Sequence, residues 1–346
     1  MSDKTNNAEQ VASPAEHLVE VHDLKTYFHT AAGTAKAVDG VSFTLDRGKT
    51  LAIVGESGSG KSVTASSLMR LLPKTGKIEG GTVEFDGHDI VHATDAELRE
   101  LRGKDISMIF QDPMTALDPV FKVGSQMIEN IRIHDGLDKA AARKRAIEML
   151  RLVSIPNPEK RMDSYPYELS GGMCQRVMIA MAMSCHPKFI IADEPTTALD
   201  VTVQAQVLSL LKGLQDEMAT GILLITHNLG IVWQMADDVM VMYAGRTCEY
   251  ASMEELYSNP MHPYTWGLLD SMPKLSDKAK TDLKTIPGVP PDLRLTGTCC
   301  NFYNRCPYAC EKCKSEVPPL VEVRPGHFVA CHRQNGEQTL VRGEAN

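Results

Sequence analysis

Thr50-Leu51-Ala52-Ile53-Val54-Gly55-Glu56-Ser57-Gly58-Ser59-Gly60-Lys61-Ser62 is the stretch that decides the fold of this chain. Thr50 to Val54 is a short apolar run that reads as a buried strand, and Ser62 to Leu72 is a helix-length segment stopped by Pro73. Between them, Gly55 to Ser62 fits G-x-x-x-x-G-K-[ST]. Glycines let such a loop wrap a triphosphate closely enough for backbone N–H groups to point at it. Lys61 is placed to reach the β- and γ-phosphates and the Ser62 hydroxyl to hold Mg²⁺, while the helix N-terminus adds its positive dipole end. A glycine-rich turn that binds nothing is the competing reading, and the complete motif in a strand–loop–helix frame outweighs it. The stretch therefore predicts a nucleoside triphosphate site.

Composition sets the outer limits. The 346 residues suffice for one large or two modest domains, and 43% hydrophobic with 23% charged residues is ordinary for a globular protein. A net charge of −8 argues against nucleic acid as the main partner. No apolar run of about 18 residues exists to span a bilayer, and Met1 to Glu16 is polar, acidic and without the apolar centre of a signal peptide. Residues 1–16 read as a disordered lead-in, and the chain as cytosolic by default. Nine cysteines in a reducing compartment do not read as a disulfide framework. Cys174, Cys185 and Cys248 are scattered, whereas Cys299, Cys300, Cys306, Cys310, Cys313 and Cys331 crowd near the C-terminus.

Outward from the loop, strands are expected at Leu18–Val21, around Thr26–Phe28, at Val41–Leu45, and at Thr82–Phe85 before the tight turn at Asp86-Gly87. Phe28 is the first choice to stack on an adenine ring and Tyr27 the second, although either could simply be a core aromatic. Ile106 to Phe110 is a further buried strand that ends at Gln111. From Phe121 to Ser184 the character is helical, with Asp138 capping a helix from Lys139 to Val153. Strands return at Lys188–Ala192, Gly221–Thr226 and Asp238–Met242, with Asp200 capping a helix between the first two. Alternating strands and helices predict an α/β domain with a mainly parallel sheet. Pro and Gly thicken between Pro273 and Gly297, where a boundary is placed before a small C-terminal module.

Phe189-Ile-Ile-Ala-Asp193-Glu194 is an apolar strand ending in two carboxylates. Beside a phosphate loop, Asp193 would help hold Mg²⁺ and Glu194 would polarise an attacking water. Gln111 and His227 each follow an apolar strand; Gln111 could touch Mg²⁺ and the attacking water, and His227 the γ-phosphate. Leu169-Ser170-Gly171-Gly172-Met173-Cys174-Gln175-Arg176 is a capped helix start whose bare N-terminal amides suit an anion. Here the sequence resembles the ATP-binding cassette family, whose signature is L-S-G-G-x-x-Q-R. The resemblance covers about Leu18 to Tyr250, with Gln111, Asp193-Glu194, Ala198-Leu199-Asp200 and His227 falling in order.

The resemblance implies an α/β ATPase with a parallel core sheet, an antiparallel β subdomain and a helical subdomain at about 121–184. The cassette is assigned to 17–272 and the Cys-rich module to 273–346. It further implies that Phe28, Tyr27, Gly55, Ser57, Gly58, Ser59, Gly60, Lys61, Ser62 and Val63 contact ATP together with Gln111 and Asp193. Ser170, Gly171, Gly172, Gln175 and Asp200 would serve ATP across a head-to-tail dimer, Ser62, Gln111 and Asp193 would hold Mg²⁺, and Glu194, His227 and Gln111 would be catalytic. Cys174, where Arg or Lys is usual, and Asn228, where Asp is common, depart from the pattern; altered packing, not lost ATP binding, is expected.

Ser170 follows Lys61 too closely for the coiled coil of chromosome-maintenance cassettes, and a single cassette excludes the two-cassette translation factors. Asn259-Pro-Met-His-Pro-Tyr-Thr265 and Ile286-Pro-Gly-Val-Pro-Pro-Asp292 look like the C-terminal extension of dipeptide, oligopeptide and nickel importer ATPases. That likeness implies a peripheral subunit at the cytoplasmic face of the membrane that powers peptide import. Its implied partners are a paralogous second cassette, two transmembrane permease subunits and, indirectly, an extracytoplasmic peptide-binding protein, with no nucleic acid. Nickel or another small solute is the alternative cargo, and a soluble regulatory or repair ATPase with a redox-sensing cysteine module is the alternative class. Cys300-x5-Cys306-x6-Cys313-x17-Cys331 lies where those importers carry a motif implied to bind a [4Fe–4S] cluster. Four thiolates equally satisfy Zn²⁺. Cys299 and Cys310 are spares or substitutes among the ligating thiols, and His327 and His332 outside candidates.

Overall fold

The computed structural model describes residues 17–197, 199–271, 285–334 and 340–343. The expected lead-in over 1–16, Ala198 and residues 273–284 of the expected boundary stretch lie outside them. Among the described residues twelve strands form two sheets: β1 (Val19–Thr30), β2 (Gly33–Leu45), β3 (Thr50–Val54), β4 (Gly76–Phe85), β5 (His88–Asp89), β6 (Ile106–Ile109), β7 (Phe189–Asp193), β8 (Gly221–Ile225), β9 (Asp238–Tyr243), β10 (Arg246–Ser252), β11 (Val321–Arg324) and β12 (His327–Val329). The main sheet runs β11-β12-β10-β9-β3-β8-β7-β6, and β2-β1-β4-β5 make the second, antiparallel one.

From β9 to β6 all pairings are parallel, and every residue of β3, β7 and β8 is buried. Both faces are covered, so these strands read as unbroken apolar runs and not as alternating ones. Their shared direction brings the ends of β3, β8, β7 and β6 to one edge, where open α/β sheets bind ligands. The expected pieces Leu18–Val21 and Thr26–Phe28 are one strand, β1, bent by register shifts between Val21 and Lys25 with Asp23 at φ 47°.

Helix Pro113–Ala116 comes just before the helical stretch, and helices Val123–Asp135, Lys139–Leu152, Pro158–Arg161 and Gly171–Met183 follow within it. Asp138 caps Lys139–Leu152, its carboxylate accepting from the Ala140 and Ala141 N–H groups at 2.8 Å. Met127, Ile131, Ala142, Ala146, Leu150 and Val177 are buried together and join these helices to the sheet.

The Cys-rich C-terminal segment is not the separate module that its composition suggested. β12 pairs with β10, Glu249 opposite Val329 and Tyr250 opposite Phe328, so the segment extends the main sheet. Phe302, 3% exposed, packs on Tyr243 and Tyr264. The fully buried His327 ring meets Glu249 at 2.8 Å, and Glu249 also accepts from the Met261 and His262 N–H groups. Burial opposes the charged His327 ring, but the hydrogen bond and charge of Glu249 prevail and hold its pKa above the ordinary value. A segment with so few apolar residues borrows the cassette's core.

Candidate active site

The loop leaving β3 is shaped by contacts that admit no side chain. A Cβ on Gly55 (φ +153°) would stand 2.2 Å from Met242 O, and one on Gly60 (φ +106°) 2.3 Å from Ala37 O. The loop is thus pressed against the adjoining strands, with its outer face free. Lys61, 7% exposed, donates from Nζ to Gly55 O (2.8 Å) and Glu56 O (2.9 Å), with Ser59 Oγ at 3.4 Å. Burial lowers its pKa, and the carboxylates of Glu194, Asp193 and Glu56 work against that shift.

A cavity of 430 Å³ opens over the loop, walled by Phe28, Ala35, Ala37, Gly55–Gly58, Gly60–Val63, Gln111, Glu194, His227 and Leu293. Three strand ends meet in it: β6 delivers Gln111, β7 delivers Asp193-Glu194, and β8 delivers His227. Glu194 sits at φ 48°, a left-handed turn that swings it off the end of β7. Its Oε2 accepts from Gln111 Nε2 (3.3 Å) and Thr197 Oγ1 (3.0 Å), and Oε1 meets His227 Nδ1 at 3.1 Å. Burial would raise the Glu194 pKa, but the bonds from His227 and Thr197 and the charges of His227 and Lys61 outweigh it, leaving it below the ordinary glutamate value. With that carboxylate ionised, His227 Nδ1 is the donor.

Asp193 is 4% exposed; burial raises its pKa, opposed by a hydrogen bond from the Ser62 hydroxyl. Its Oδ1 is buried without a hydrogen-bond partner. A buried orphan carboxylate oxygen beside a loop hydroxyl is the donor set a Mg²⁺ ion takes.

Phe28 lines the cavity, whereas Tyr27, one residue away on the strand, turns to Asp39 and donates to its Oδ1 at 2.6 Å. Ser57, Gly58, Gly60, Ser62 and Val63 are in the wall, while the buried Ser59 lies behind Lys61. Among the described residues the wall includes neither Ser170, Gly171, Gly172 nor Asp200. Ser170 Oγ accepts from the Met173 N–H (3.3 Å), and the Asp200 carboxylate caps the helix Val201–Met218 through Thr202 and Val203. Gln175, expected at the nucleotide, is fully buried and donates to Pro195 O (2.6 Å), tying the signature helix to the turn after Glu194. Cys174 also faces inward, against Pro166 O (3.4 Å), and Asn228 caps the following helix through Gly230 as an Asp would.

Two wall or first-contact residues had no sequence signal of their own. Thr197 lies three residues past Glu194, where a turn closed by its N–H on Glu194 O (3.4 Å) returns it to the carboxylate. Leu293 comes from the C-terminal segment, held by the Lys36 N–H to Leu293 O hydrogen bond (3.1 Å).

In the Cys-rich segment, burial first and then one another's charge push the thiols of Cys300 and Cys306 up to about 12 and that of Cys313 to about 11, and Cys331 is also raised. Cys310 Sγ lies 3.5 Å from Cys313 Sγ. Among the described residues no three His, Cys, Asp or Glu side chains are placed together to hold a metal, which leaves the expected [4Fe–4S] cluster and the Zn²⁺ alternative equally without a formed site.

Comparison with known proteins places this geometry. Residues 38–197 match the family model described as ABC transporter, and residues 248–313 match the one described as oligopeptide/dipeptide transporter, C-terminal region. The chain is 50% identical to the probable peptide ABC transporter ATP-binding protein y4tR of Sinorhizobium fredii, over 93% of this chain and 96% of that one. It is 51% identical to the oligopeptide transport ATP-binding protein OppD of Bacillus subtilis, over 90% and 87%. The dimeric post-hydrolysis structure of the ATP-binding cassette MJ0796, bound to ADP and Pi, superposes with a TM-score of 0.63 at 26% identity, covering 68% of this chain and 98% of that one. The expected partner set built on a paralogous second cassette is corrected by these matches. The similar solved cassette is a dimer described under a single cassette name.

Proposed function

This chain belongs to the ABC transporter family, among the ATP-binding subunits of oligopeptide and dipeptide transporters, and from that premise we propose that it hydrolyses MgATP in the Gly55–Ser62 cavity to drive import of peptides across a membrane. The observation that carries the proposal is the convergence of Gln111, Thr197 and His227 on one ionised carboxylate, Glu194, beside Lys61. A base held by three donors is oriented before substrate arrives. Phe28 and Leu293 supply the apolar end of the cavity for the base. Lys61 turns from the loop carbonyls to the β- and γ-phosphates, and Glu194 takes the proton of the attacking water. His227 orients Glu194 through Nδ1 and, when protonated at both nitrogens, donates from Nε2 to the γ-phosphate. Ser62, Asp193 and Gln111 would hold Mg²⁺, which spreads the charge of the phosphates when bound. Ser170–Gly172 and Asp200 stand apart from the chain's own cavity, which supports ATP held between two cassettes, each completing the other's site.

The same reading divides the chain into a cassette over 17–272, with helical residues at about 121–184, and a C-terminal segment over 273–346. It places the chain peripherally at the cytoplasmic face of the membrane; no helix among the described residues is long and apolar enough to cross it. The test of cargo is uptake of a labelled oligopeptide by cells lacking this chain and by cells in which it is restored. Uptake that returns with the chain supports peptide import; unchanged peptide uptake alongside lost nickel uptake would transfer the assignment to nickel.

For the C-terminal thiols the proposal is a [4Fe–4S] cluster on Cys300, Cys306, Cys313 and Cys331. Its support is the burial of these thiols and the charge of Cys331, which bears on Cys300, Cys306 and Cys313 alike. Anaerobically purified protein should contain iron and acid-labile sulfide in equal amounts with broad visible absorbance. Colourless protein with stoichiometric zinc would reject the cluster.

A further inference from the structure

We propose that Arg305, carried by the Cys-rich C-terminal segment, is a positioning residue for the phosphate loop, acting through its clamp on Glu56. The segment lies far from the loop in sequence, yet Arg305 grips the second residue of the motif. Its Nη1 donates to Glu56 Oε2 at 2.5 Å and its Nη2 to Oε1 at 3.0 Å, the bidentate fork that fixes a carboxylate in direction as well as distance. The guanidinium is itself immobilised. Its side chain is 4% exposed, and the remaining donors reach Pro287 O (2.8 Å), Ile286 O (3.1 Å) and Tyr243 Oη (3.2 Å).

Glu56 is held from a second side, because its N–H donates to Tyr264 Oη at 2.8 Å. With side chain and amide both fixed, the Glu56 Cα is held and only rotation about Cα–C is left to its carbonyl, which accepts from Lys61 Nζ (2.9 Å). The path Arg305–Glu56–Lys61 therefore runs from the C-terminal segment to the group that meets the phosphates. Among the described residues, Arg305 hydrogen-bonds to no member of the cavity wall except Glu56. Its contribution is to keep the loop in the form that accepts nucleotide, so that ordering the loop is not charged against binding.

The proposal rests on this loop being the ATP site. The experiment uses the full chain as Glu56→Gln, Arg305→Lys and the double variant, titrated with a fluorescent ATP analogue plus Mg²⁺ well below each unfolding midpoint. Stoichiometry gives the folded fraction, so affinity is read independently of it. Glu56→Gln should weaken binding about tenfold, Arg305→Lys by less because one charged contact survives, and the double variant no more than Glu56→Gln alone. In the hydrolysis assay the loss should appear in KM more than in kcat. Variants that unfold at lower temperature yet bind at wild-type affinity, or losses that simply multiply, would reduce Arg305 to an anchor of the segment and overturn the proposal. A wild-type chain that binds no analogue would instead refute the ATP site itself.

Discussion

Glu194→Gln should lower ATP turnover by about a thousandfold while leaving ATP affinity near that of the wild type. The amide keeps the size of the side chain; its oxygen can take the place of Oε2 and still accept from Gln111 and Thr197, while its NH2 faces His227 Nδ1 in the tautomer that accepts, so the left-handed turn at Glu194 has no reason to change. What disappears is the ionised oxygen able to take a proton. Burial pushes the Glu194 pKa up, but the bonds from His227 and Thr197 and the neighbouring charges of His227 and Lys61 bring it below its ordinary value. Its folded-state pKa being depressed, the base is fully available at neutral pH and is lost only as pH falls through a value below that of an ordinary glutamate. The rate loss in the variant should therefore be flat across neutral pH. Phosphate release measured under single-turnover conditions reports the effect, and undiminished release would remove Glu194 from the catalytic role.

Lys61→Met should cost more in binding than any other single change, about a hundredfold or more in ATP affinity. In the unliganded loop the ammonium is buried against Gly55 O and Glu56 O, among the carboxylates of Asp193, Glu194 and Glu56. It is the cation that offsets Asp193 and Glu194, Glu56 being paired with Arg305. Methionine fills much of the same volume without the charge, leaving a triphosphate to enter a site whose remaining ionised groups are negative. The expectation separates from that for Glu194→Gln, which spares binding and removes turnover.

The residues that were legible in the sequence share a geometric reason. A parallel strand buried on both faces is an unbroken apolar run, and the polar residue that ends it lies at the binding edge. Gln111, Asp193-Glu194 and His227 could be read that way, and β3 with its loop most plainly. Tyr27 and Gln175 were assigned to the nucleotide because a sequence does not show which way a side chain turns; one faces Asp39 and the other the Pro195 carbonyl. Leu293 and Arg305 were missed because they arrive from the far end of the chain. The C-terminal segment was read as a separate module from its cysteines and prolines. Strand β12 is only His327 to Val329, too short to show a period, and its pairing with β10 was invisible until the fold was known.

The most direct test of an ATP site at Gly55–Ser62 is equilibrium binding of MgATP to the wild type and to Lys61→Met, measured side by side by titration calorimetry on folded protein. The account predicts saturable binding by the wild type and none in the same concentration range for the variant. Overlapping isotherms would contradict it.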